Sequence, residues 1–294
     1  RLPVALADKE QIEKLAGKIA FAEISDQLNL PIPKWERVEN LESVSLPYPY
    51  WLKADYGTAG RLVYKITSKE DLARAADVLL ANDEKWMVQQ DIVGDYGQVQ
   101  AVFHHGQLLA VHSSVKVGSG AAAARLSIES EKTREHVEKL GQFLQWHGAL
   151  TLDFIRTDGH FYYIECNPRM VEPANAYKAG VNFPKIMIEL ANGCYFKSDV
   201  SVGQAGVGTH SLMALLIGTA ERTKSRKKIL QTIGQWLFKS DSEEVLTPVW
   251  KDFLSFIPLA TITIRLLINP KSVTKLVNNT VKDYSVEAAT LKNI

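Results

Sequence analysis

Two carboxylates and an amide in the middle of the sequence have the chemistry of a cation site. Glu165 and Asn167 are two positions apart in an extended apolar segment, so their side chains face the same side. Asp153 lies on the strand that precedes them. Carboxylate and amide oxygens are ligands that Mg²⁺ prefers, and bound Mg²⁺ also contacts substrate phosphates. The residue types therefore indicate phosphate chemistry with a divalent cation.

The position of Asp153 relative to Glu165 depends on the turn between the two strands. A strict two-residue turn at Asp158-Gly159 places Asp153 opposite Ile164, facing away from Glu165. One additional residue, in the loop or in a bulge, brings the two carboxylates side by side. A metal site thus predicts an irregular hairpin, whereas a regular hairpin predicts an edge strand with solvated polar residues. The spacing leaves both alternatives open.

A second cluster begins at Lys53, which ends an apolar strand. It is followed by a loop with two glycines, Asp55-Tyr56-Gly57-Thr58-Ala59-Gly60-Arg61. Glycines let backbone amides approach an anion, and a lysine adds a positive charge. The loop lacks the Gly-Lys-Ser/Thr of a P-loop. From these residues, a phosphate-binding loop competes with an ordinary hairpin beside a surface lysine.

The elements that must position these residues follow from periodicity and from Gly and Pro signals. Helix and strand patterns are mixed along the chain, which is typical of an α+β fold. The predicted helices are 9–30, 68–80, 129–146 and 176–191, and the chain after residue 209 is mostly helical. The predicted strands are 50–54, 61–66, 149–156 and 161–166, together with an antiparallel meander of runs at 86–93, 98–104 and 108–115.

Composition excludes several classes of protein. The 294 residues include 34 basic and 33 acidic side chains, and this balance argues against nucleic-acid binding by bulk electrostatics. An apolar fraction of 46% excludes wholesale disorder. Two cysteines, Cys166 and Cys194, cannot form a disulfide framework, which favours a reducing, cytoplasmic location. Alternation points Cys166 away from Glu165 and Asn167, so we expect it to pack in the core.

The C-terminal region raises the question of membrane contact. Its apolar stretch at 253–268 contains Pro258 and Arg265, and the sequence has no uninterrupted run of 18 apolar residues, so a spanning helix is not expected. The basic run 226–228 lies on a predicted helix, where a solvated face is the expectation. Peripheral contact with the cytoplasmic membrane face is the alternative.

Taken in order along the chain, the motifs resemble those of one superfamily. Lys53 with its glycine loop is followed by the strand MVQQDIVG, then by TLDFI and YYIECNPR, and this series is similar to that of the ATP-grasp enzymes. The nearest resemblance is to the ATP-binding domain of the carbamoyl-phosphate synthase large chain and to carboxylate–amine ligases. It covers about residues 8–193, and YIECNPR is its most specific part.

The resemblance implies an ATP-grasp fold, in which two α+β subdomains clasp ATP. We expect an entry helix and linker at 1–50, a small lid subdomain at 51–88, a large subdomain with the metal site at 89–208, and a mostly helical C-terminal extension at 209–294. ATP-grasp enzymes usually carry a Rossmann-like domain before this region. Because eight residues precede Lys9 here, we expect that domain to be absent or the chain to be a fragment.

The resemblance also assigns roles to single positions. Lys53 is expected to reach the ATP phosphates, and Arg169 to face the reacting phosphate and acyl group. Lys9 matches an earlier lysine that contacts the nucleotide, with a surface position at a helix start as an equal alternative. The loop that closes over the phosphates comprises Gly57, Thr58, Ala59 and Gly60, and the strand that recognises adenine comprises Gln89, Gln90, Asp91 and Ile92. The implied metal ligands are Asp153, Glu165 and Asn167.

The same resemblance leaves alternative roles open for other side chains near these motifs. Lys116 and Arg125 are both candidates for a basic residue near the phosphates. Glu172 matches a base in biotin carboxylase, although a surface glutamate is the favoured interpretation. His104 and His105 sit beside a turn with a spacing that fits no metal site, so we expect surface histidines.

The activity implied by the resemblance is that of an ATP-dependent ligase. ATP would phosphorylate a carboxylate, and an amine would displace phosphate to give an amide, ADP and phosphate. The implied cofactors are ATP and Mg²⁺, or Mn²⁺ in its place, and the implied partners are a small-molecule carboxylate and amine. The alternatives are phosphorylation of bicarbonate, as in biotin carboxylase, and a nucleotide-binding module without catalysis. Neither the substrates nor the oligomeric state follows from the sequence.

Overall fold

The computed structural model describes residues 4–57, 62–80, 84–117, 124–194, 199–237 and 239–274. In these ranges the chain forms two β-sheets with helices packed on each. The expected α+β class is confirmed.

The smaller sheet consists of four antiparallel strands from the first third of the chain. They are β1 (Trp35–Val38), β2 (Tyr50–Ala54), β3 (Val63–Ile66) and β4 (Trp86–Gln90). Their order is β1-β4-β2-β3. Helix α3 (Lys69–Leu80) packs on this sheet through Leu72 and Ala75, which join a core of its own around Leu52 and Ile66. The strands of this sheet thus span residues 35–90, which begins before and ends after the segment 51–88 expected for the small lid subdomain.

The larger sheet carries the second half of the motifs. Its strands are β5 (Asp95–His104), β6 (Gln107–Lys116), β7 (Ala124–Ile128), β8 (Gly148–Thr157), β9 (His160–Asn167), β10 (Ser201–Val202), β11 (Gly208–His210) and β12 (Glu243–Glu244). The order is β12-β11-β7-β6-β5-β8-β9, with β10 paired on β6. The five central strands are antiparallel to their neighbours.

Helices cover the apolar face of the larger sheet. These are α1 (Lys9–Ala16), α2 (Lys18–Gln27) and α4 (Glu131–Leu144). Leu15, Phe21 and Leu140 of these helices meet Val99 and Leu152 of the sheet in the largest buried cluster. Burial of this face is the main source of stability here, because apolar side chains are removed from water. Two short helices, α5 (Ala174–Lys178) and α6 (Phe183–Ala191), pack against the other side of the sheet.

The helix predicted at 9–30 is two helices, because the chain leaves helical geometry at Gly17. Gly17 has φ −88° and ψ 142°, and a Cβ atom there would lie 2.6 Å from Asp55 Oδ1. The Asp55 carboxylate accepts the backbone N–H of Ile19 at 2.9 Å, so it caps α2. Local periodicity did not show this break because its cause lies 36 residues away in sequence.

The predicted three-stranded meander is wrong in its first strand. β4 pairs with β1 and β2 in the smaller sheet, whereas β5 and β6 are antiparallel neighbours in the larger one. The link at 91–94 therefore crosses between the sheets. A Cβ atom on Gly94 would lie 2.3 Å from the carbonyl oxygen of Arg156, so this glycine permits a close approach of two backbones.

The other predicted elements agree with the structure except at one helix. The predicted strands at 50–54, 149–156 and 161–166 and the helices at 68–80 and 129–146 are present within a few residues. The helix predicted at 176–191 is divided into α5 and α6. Gly180 lies between them with φ +95°, a backbone conformation that ends a helix and suits glycine.

The described part of the C-terminal region is mostly helical. It also contributes β11 and the edge strand β12 to the larger sheet. Helices α7 (Leu212–Thr223), α8 (Arg226–Trp236) and α9 (Phe256–Ile268) share a core around Leu216, Ile229 and Leu266. Short 3₁₀ turns occur at Leu41–Ser43, Phe253–Ser255 and Pro270–Ser272. Among the residues that the structure describes, every helix is too short or too polar to cross a bilayer.

Candidate active site

One face of the larger sheet is lined by polar side chains in register. A row of paired positions crosses five strands and comprises Ser127, Ser114, Gln98, Asp153 and Glu165. The next row comprises His112, Gln100, Thr151 and Asn167. Alternation sends the intervening residues to the apolar core, where Cys166 is buried as expected. The sheet therefore presents a polar surface on which charged groups meet.

A β-bulge places two metal-ligand candidates side by side. The turn at Asp158-Gly159 has two residues, and pairing is regular in the adjoining part of the hairpin. The register then shifts and skips Ile164, which sets Asp153 opposite Glu165. The irregular hairpin that a metal site requires is thus confirmed, as a bulge within the strand.

The Asp153 carboxylate is buried and incompletely satisfied. Its Oδ2 accepts from Asn167 Nδ2 at 3.3 Å, while the buried Oδ1 has no hydrogen-bond partner among the residues that the structure describes. Burial, and then the charge of Glu165, raise the pKa of Asp153 from 3.8 to about 7, against a hydrogen bond with Tyr96 and the charge of Arg125.

This arrangement fits a divalent cation. Two adjacent carboxylates repel each other, and a buried oxygen without a hydrogen-bond donor is energetically unfavourable. Asp153, Glu165 and Asn167 offer carboxylate and amide oxygens, which are hard ligands suited to Mg²⁺. A cation held by these side chains would remove both unfavourable terms.

Lys53 is buried on the smaller sheet and interacts electrostatically with this cluster. The side chain is 7% exposed, and its ammonium donates to Gln89 Oε1 at 2.6 Å. Burial lowers the pKa of Lys53 to about 8; the charges of Glu165 and Asp153 raise it, and that of Lys18 lowers it. Because its hydrogen-bond partner is a neutral amide, the Lys53 charge is available to an anion between the sheets.

Lys18 is a second buried cation, which the sequence analysis missed. It is 8% exposed, and its Nζ lies 3.5 Å from the carbonyl oxygens of both Asp55 and Gly57. The capping of α2 by Asp55 fixes the helix start that carries it. The sequence held a signal, because Lys18 falls on the helix face of Leu15 and Ile19, where an apolar side chain is expected.

Lys9 stands outside this buried group. Its side chain is 75% exposed and forms an ion pair with Glu13 at 3.9 Å, one turn along α1. The structure thus brings Lys18 against the start of the glycine loop at Gly57, and places Lys9 at the solvent-exposed helix start. The remaining loop residues named from the sequence, Thr58, Ala59 and Gly60, lie outside the described residues.

The strand expected to recognise adenine contributes Gln89 to the site. Gln89 is 3% exposed and faces Lys53. Asp91 is engaged otherwise: its carboxylate accepts from Trp51 Nε1 at 2.7 Å and pairs with Lys65 at 2.7 Å. In this structure Asp91 therefore links the end of β4 to side chains of β2 and β3.

Gln90 and Ile92 lie at the crossing between the two sheets. The backbone N–H of Gln90 donates to the carbonyl oxygen of Lys34 at 2.8 Å. Ile92 is half-buried in the link that leads to β5. An adenine contact at these two residues stays a prediction.

The loop that carries Arg169 is fastened to the polar face of the sheet. Thr151 Oγ1 donates to the carbonyl oxygen of Arg169 at 2.8 Å. Gln98 Nε2 donates to Val171 O at 3.0 Å, and Gln100 Oε1 accepts from Val171 N at 3.1 Å. The backbone is thus fixed while the Arg169 side chain is exposed. The two glutamines were not identified from the sequence, although their alternation with apolar residues in β5 signals a polar face.

Both basic candidates from the following strands lie on the polar face. Lys116 and Arg125 are directly opposite each other on β6 and β7. Arg125 is 7% exposed, and its Nε and Nη2 each lie 2.9 Å from Glu172 Oε2. Glu172 is exposed ahead of α5, as the favoured interpretation of a surface glutamate expected, and it is also the partner of the buried Arg125. Lys116 is half-buried, and burial, then the charge of Arg125, lower its pKa.

Comparison with known families gives one match. The model of a family described as the ATP-grasp domain matches residues 15–173, just over half of the chain. The matched segment contains Lys18, Lys53, Gln89 and the three metal-ligand candidates. Helices α7 to α9 lie outside it. A comparison with curated proteins found none that matches this chain.

Solved structures of several enzymes share the fold. Biotin carboxylase from Campylobacter jejuni, in a complex with β,γ-ATP, has a TM-score of 0.56 at 20% identity, covering 68% of this chain and 50% of that one. The biotin carboxylase domain of Hydrogenobacter thermophilus 2-oxoglutarate carboxylase, with MgADP and bicarbonate, has 0.55 at 19%, covering 68% and 50%. L-amino acid ligase from Bacillus licheniformis has 0.50 at 20%, covering 62% and 48%. The chain spans about half the length of each. At these identities, the structural similarity shows a shared fold.

Proposed function

Because this chain belongs to the ATP-grasp family, we propose that it is an ATP- and Mg²⁺-dependent ligase that activates a carboxylate as an acyl phosphate and joins it to an amine. The observation that carries the proposal is the pair of opposed clusters between the sheets. Lys53 and Lys18 are buried on one side. Asp153 and Glu165 lie on the other, where Asp153 Oδ1 has no donor among the described residues.

The two clusters complement the parts of a nucleotide–metal complex. The lysines would bind phosphate oxygens, and Asp153, Glu165 and Asn167 would hold Mg²⁺. When bound, Mg²⁺ supplies neutralisation of the phosphate charge. Burial strengthens each interaction of the lysines, because water does not screen them as it does at the surface.

The proposed reaction has two steps. A carboxylate oxygen attacks the γ-phosphorus of ATP, and the bond from that phosphorus to the β,γ-bridging oxygen breaks, which releases ADP. The amine nitrogen then attacks the acyl carbon, the bond from this carbon to the phosphate oxygen breaks, and the nitrogen loses a proton to phosphate or solvent. Positioning and charge carry such a reaction, so no nucleophile from the protein is required.

The fastened loop gives Arg169 its role in this scheme. Its backbone is held by Thr151 in the row that contains Asn167. The exposed guanidinium would meet the transferring phosphoryl group, on which Lys53 acts from the smaller sheet. Exclusion of water by the two subdomains would protect the acyl phosphate from hydrolysis.

Bicarbonate is the second candidate for the activated carboxylate. The Arg125–Glu172 pair favours it, because a glutamate beside the site could act as the base that a bicarbonate reaction needs. Two of the structurally similar proteins are biotin carboxylases, one of them solved with bicarbonate.

Calorimetric titration of ATP with Mg²⁺ tests the nucleotide site. The proteins are the wild type, Glu165→Gln and a control, Glu129→Gln, whose carboxylate is exposed. We expect Mg²⁺-dependent binding by the wild type and the control, and affinity at least tenfold lower for Glu165→Gln. Absence of binding by the wild type would overturn the proposal for this chain.

A screen of ADP release then separates the candidate activities. ADP release that requires both a carboxylate and an amine supports the ligase. ADP release with bicarbonate and biotin, and without an amine, identifies the second candidate. ATP binding with no ADP release under any condition supports a nucleotide-binding module.

A further inference from the structure

A cavity of about 400 Å³ lies beside Arg125, on the polar side of the larger sheet. Its walls come from β7, from α5 and from the chain around β11 and β12, and we call it the Arg125 cavity. This volume is within the range of small-molecule pockets, which is about 300–1,000 Å³. Neither ATP nor Mg²⁺ is assigned to it by the lysines and carboxylates described above.

Most of the wall of the Arg125 cavity is apolar. Pro184, Ala214, Val245 and Leu246 contribute to it, together with the ring of Tyr177. Tyr177 and Leu246 are each 56% exposed, so a ligand in the cavity would remove their apolar surface from water. Such a wall favours an uncharged body and disfavours a second charged group.

One end of the cavity is strongly polar. Arg125 Nη1 is buried and has no hydrogen-bond partner within the described part of the chain, while Nε and Nη2 are taken by Glu172. A buried guanidinium N–H without an acceptor is unfavourable, and an anionic oxygen would satisfy it. The charge of Arg125 also acts on Asp153, so this end of the cavity is within electrostatic reach of the metal-ligand candidates.

We propose that the Arg125 cavity binds the activated carboxylate, and that this substrate is a monocarboxylate with an aromatic or branched aliphatic body. The carboxylate would accept from Arg125, and the body would contact Ala214 and Leu246. An apolar cavity of about 150 Å³ accommodates benzene, so a ring with a short chain fits here. The inference rests on the proposed function, because it assigns this site to that reaction's carboxylate.

Part of this wall lies beyond the segment that matches the family. Ala214, Val245 and Leu246 follow residue 173, where the match ends. The C-terminal region would therefore set the substrate, while the matched segment supplies the phosphate chemistry.

Saturation-transfer NMR with 3-phenylpropionate tests the inference in the presence of Mg²⁺ and a non-hydrolysable ATP analogue. The proteins are the wild type, Ala214→Leu, which fills the cavity, Arg125→Gln, and the control Ala73→Leu on the exposed face of α3. We expect signal from the wild type and the control, and affinity at least tenfold lower for the two cavity variants. Succinate, which carries a second charge, should give at least tenfold weaker binding to the wild type.

The same samples separate this inference from the proposed function. ATP titration of Ala214→Leu and of Ala73→Leu should match the wild type, which also shows that the fold is intact. Failure of the wild type to bind ATP would contradict the proposed function. ATP binding without a 3-phenylpropionate signal, equal binding of succinate, or unchanged binding by Ala214→Leu would overturn the assignment of the cavity.

A second inference comes from three histidines at the far end of β5. His104 and His105 enter the turn after this strand, and His147 immediately precedes β8. One nitrogen of each ring lies within 4.8 Å of the others, and the ring centroids are 4.3, 4.9 and 5.5 Å apart. The cluster is six residues along the strand from Gln98, about 20 Å, so it is distinct from the Asp153 site.

The chemistry of the three rings suits a borderline cation. His147 Nδ1 is buried and lacks a hydrogen-bond partner in the described ranges. Imidazole nitrogens are ligands for Zn²⁺, and three of them leave a fourth position for water or another ligand. We infer that His104, His105 and His147 bind Zn²⁺. His104 and His105 are exposed, as expected from the sequence, and the spacing gave no sign of His147 because it is remote along the chain.

Calorimetric titration of ZnCl₂ into the untagged protein tests this site, with excess Mg²⁺ present to occupy the carboxylates. The variants are His147→Ala and the control His160→Ala, which changes an exposed histidine at the start of β9. We expect one Zn²⁺ per chain for the wild type and the control, and affinity at least tenfold lower for His147→Ala. No binding by the wild type, or equal affinity in His147→Ala, would overturn the assignment.

Discussion

Replacement of Asp153 by asparagine is expected to stabilise the metal-free protein while abolishing its Mg²⁺-dependent binding of ATP. The carboxylate is buried beside Glu165, and one of its oxygens has no donor among the described residues. An amide of the same shape removes the charge that burial disfavours. It also removes an anionic ligand of the cation, so stability and binding should change in opposite directions.

The sign of the stability change follows from the direction of the pKa shift, and its size follows from the extent of that shift. In the folded protein, burial and then the charge of Glu165 raise the pKa of Asp153 from its ordinary value of 3.8 to about 7. Below 3.8 both states are protonated. As pH rises from 3.8 to about 7 the unfolded state loses its proton first, so the free energy of unfolding falls through this interval. At about 1.4 kcal/mol per pKa unit, the full loss is about 4 kcal/mol, and relaxation around the site reduces it to about 1–4 kcal/mol.

Urea denaturation with a chelator measures the effect. Asp153→Asn should exceed the wild type in free energy of unfolding at about pH 8, and by a smaller margin at about pH 5. Asp199→Asn, which changes an exposed carboxylate, should leave stability unchanged. Added Mg²⁺ should raise the melting temperature of the wild type and not that of Asp153→Asn. A variant that is less stable than the wild type at the higher pH would refute the reasoning.

Three other perturbations have expected outcomes. Lys53→Met should stabilise the protein at neutral pH by about 1–3 kcal/mol in urea denaturation, and it should weaken ATP binding. Burial lowers the pKa of Lys53 from 10.5 to about 8, so the charged lysine reduces the free energy of unfolding at neutral pH, and this loss is recovered only as pH rises from about 8 toward 10.5. For His112, burial lowers the pKa to about 4, so unfolding free energy should fall by up to about 3 kcal/mol as pH drops from 6.5, a slope that His112→Asn should lose. Gly97→Ala should lower the melting temperature at a cost of about 1–3 kcal/mol, because its Cβ would lie 2.4 Å from Phe154.

The motif residues show how far sequence reasoning reaches into the site. The types and spacing of Asp153, Glu165 and Asn167 indicated a cation site, and the structure supplies the bulge that this required. Lys53 was singled out at the end of a strand, and its phosphate role came from the family resemblance. These predictions rest on alternation in a strand, which is a local property fixed by backbone geometry over two residues.

The errors share a different origin. The sequence analysis did not single out Lys18, which the structure buries, and it assigned β4 to a meander with β5. Both depend on partners far away: Asp55 caps the helix that carries Lys18, and β2 recruits β4 to the smaller sheet. Pairing between distant segments is decided by burial and hydrogen bonding in the whole fold, which a local pattern does not encode.

By itself, the sequence determined the α+β class, the polar and apolar alternation of the strands, and the residue types of the candidate phosphate and cation ligands. Tertiary structure alone decided which cations meet those ligands, how Arg125 and Glu172 close one end of an apolar cavity, and that His147 joins His104 and His105. The physical reason is that side-chain type and period are properties of neighbouring residues. The energy of a buried charge depends on groups that only folding brings within a few ångströms.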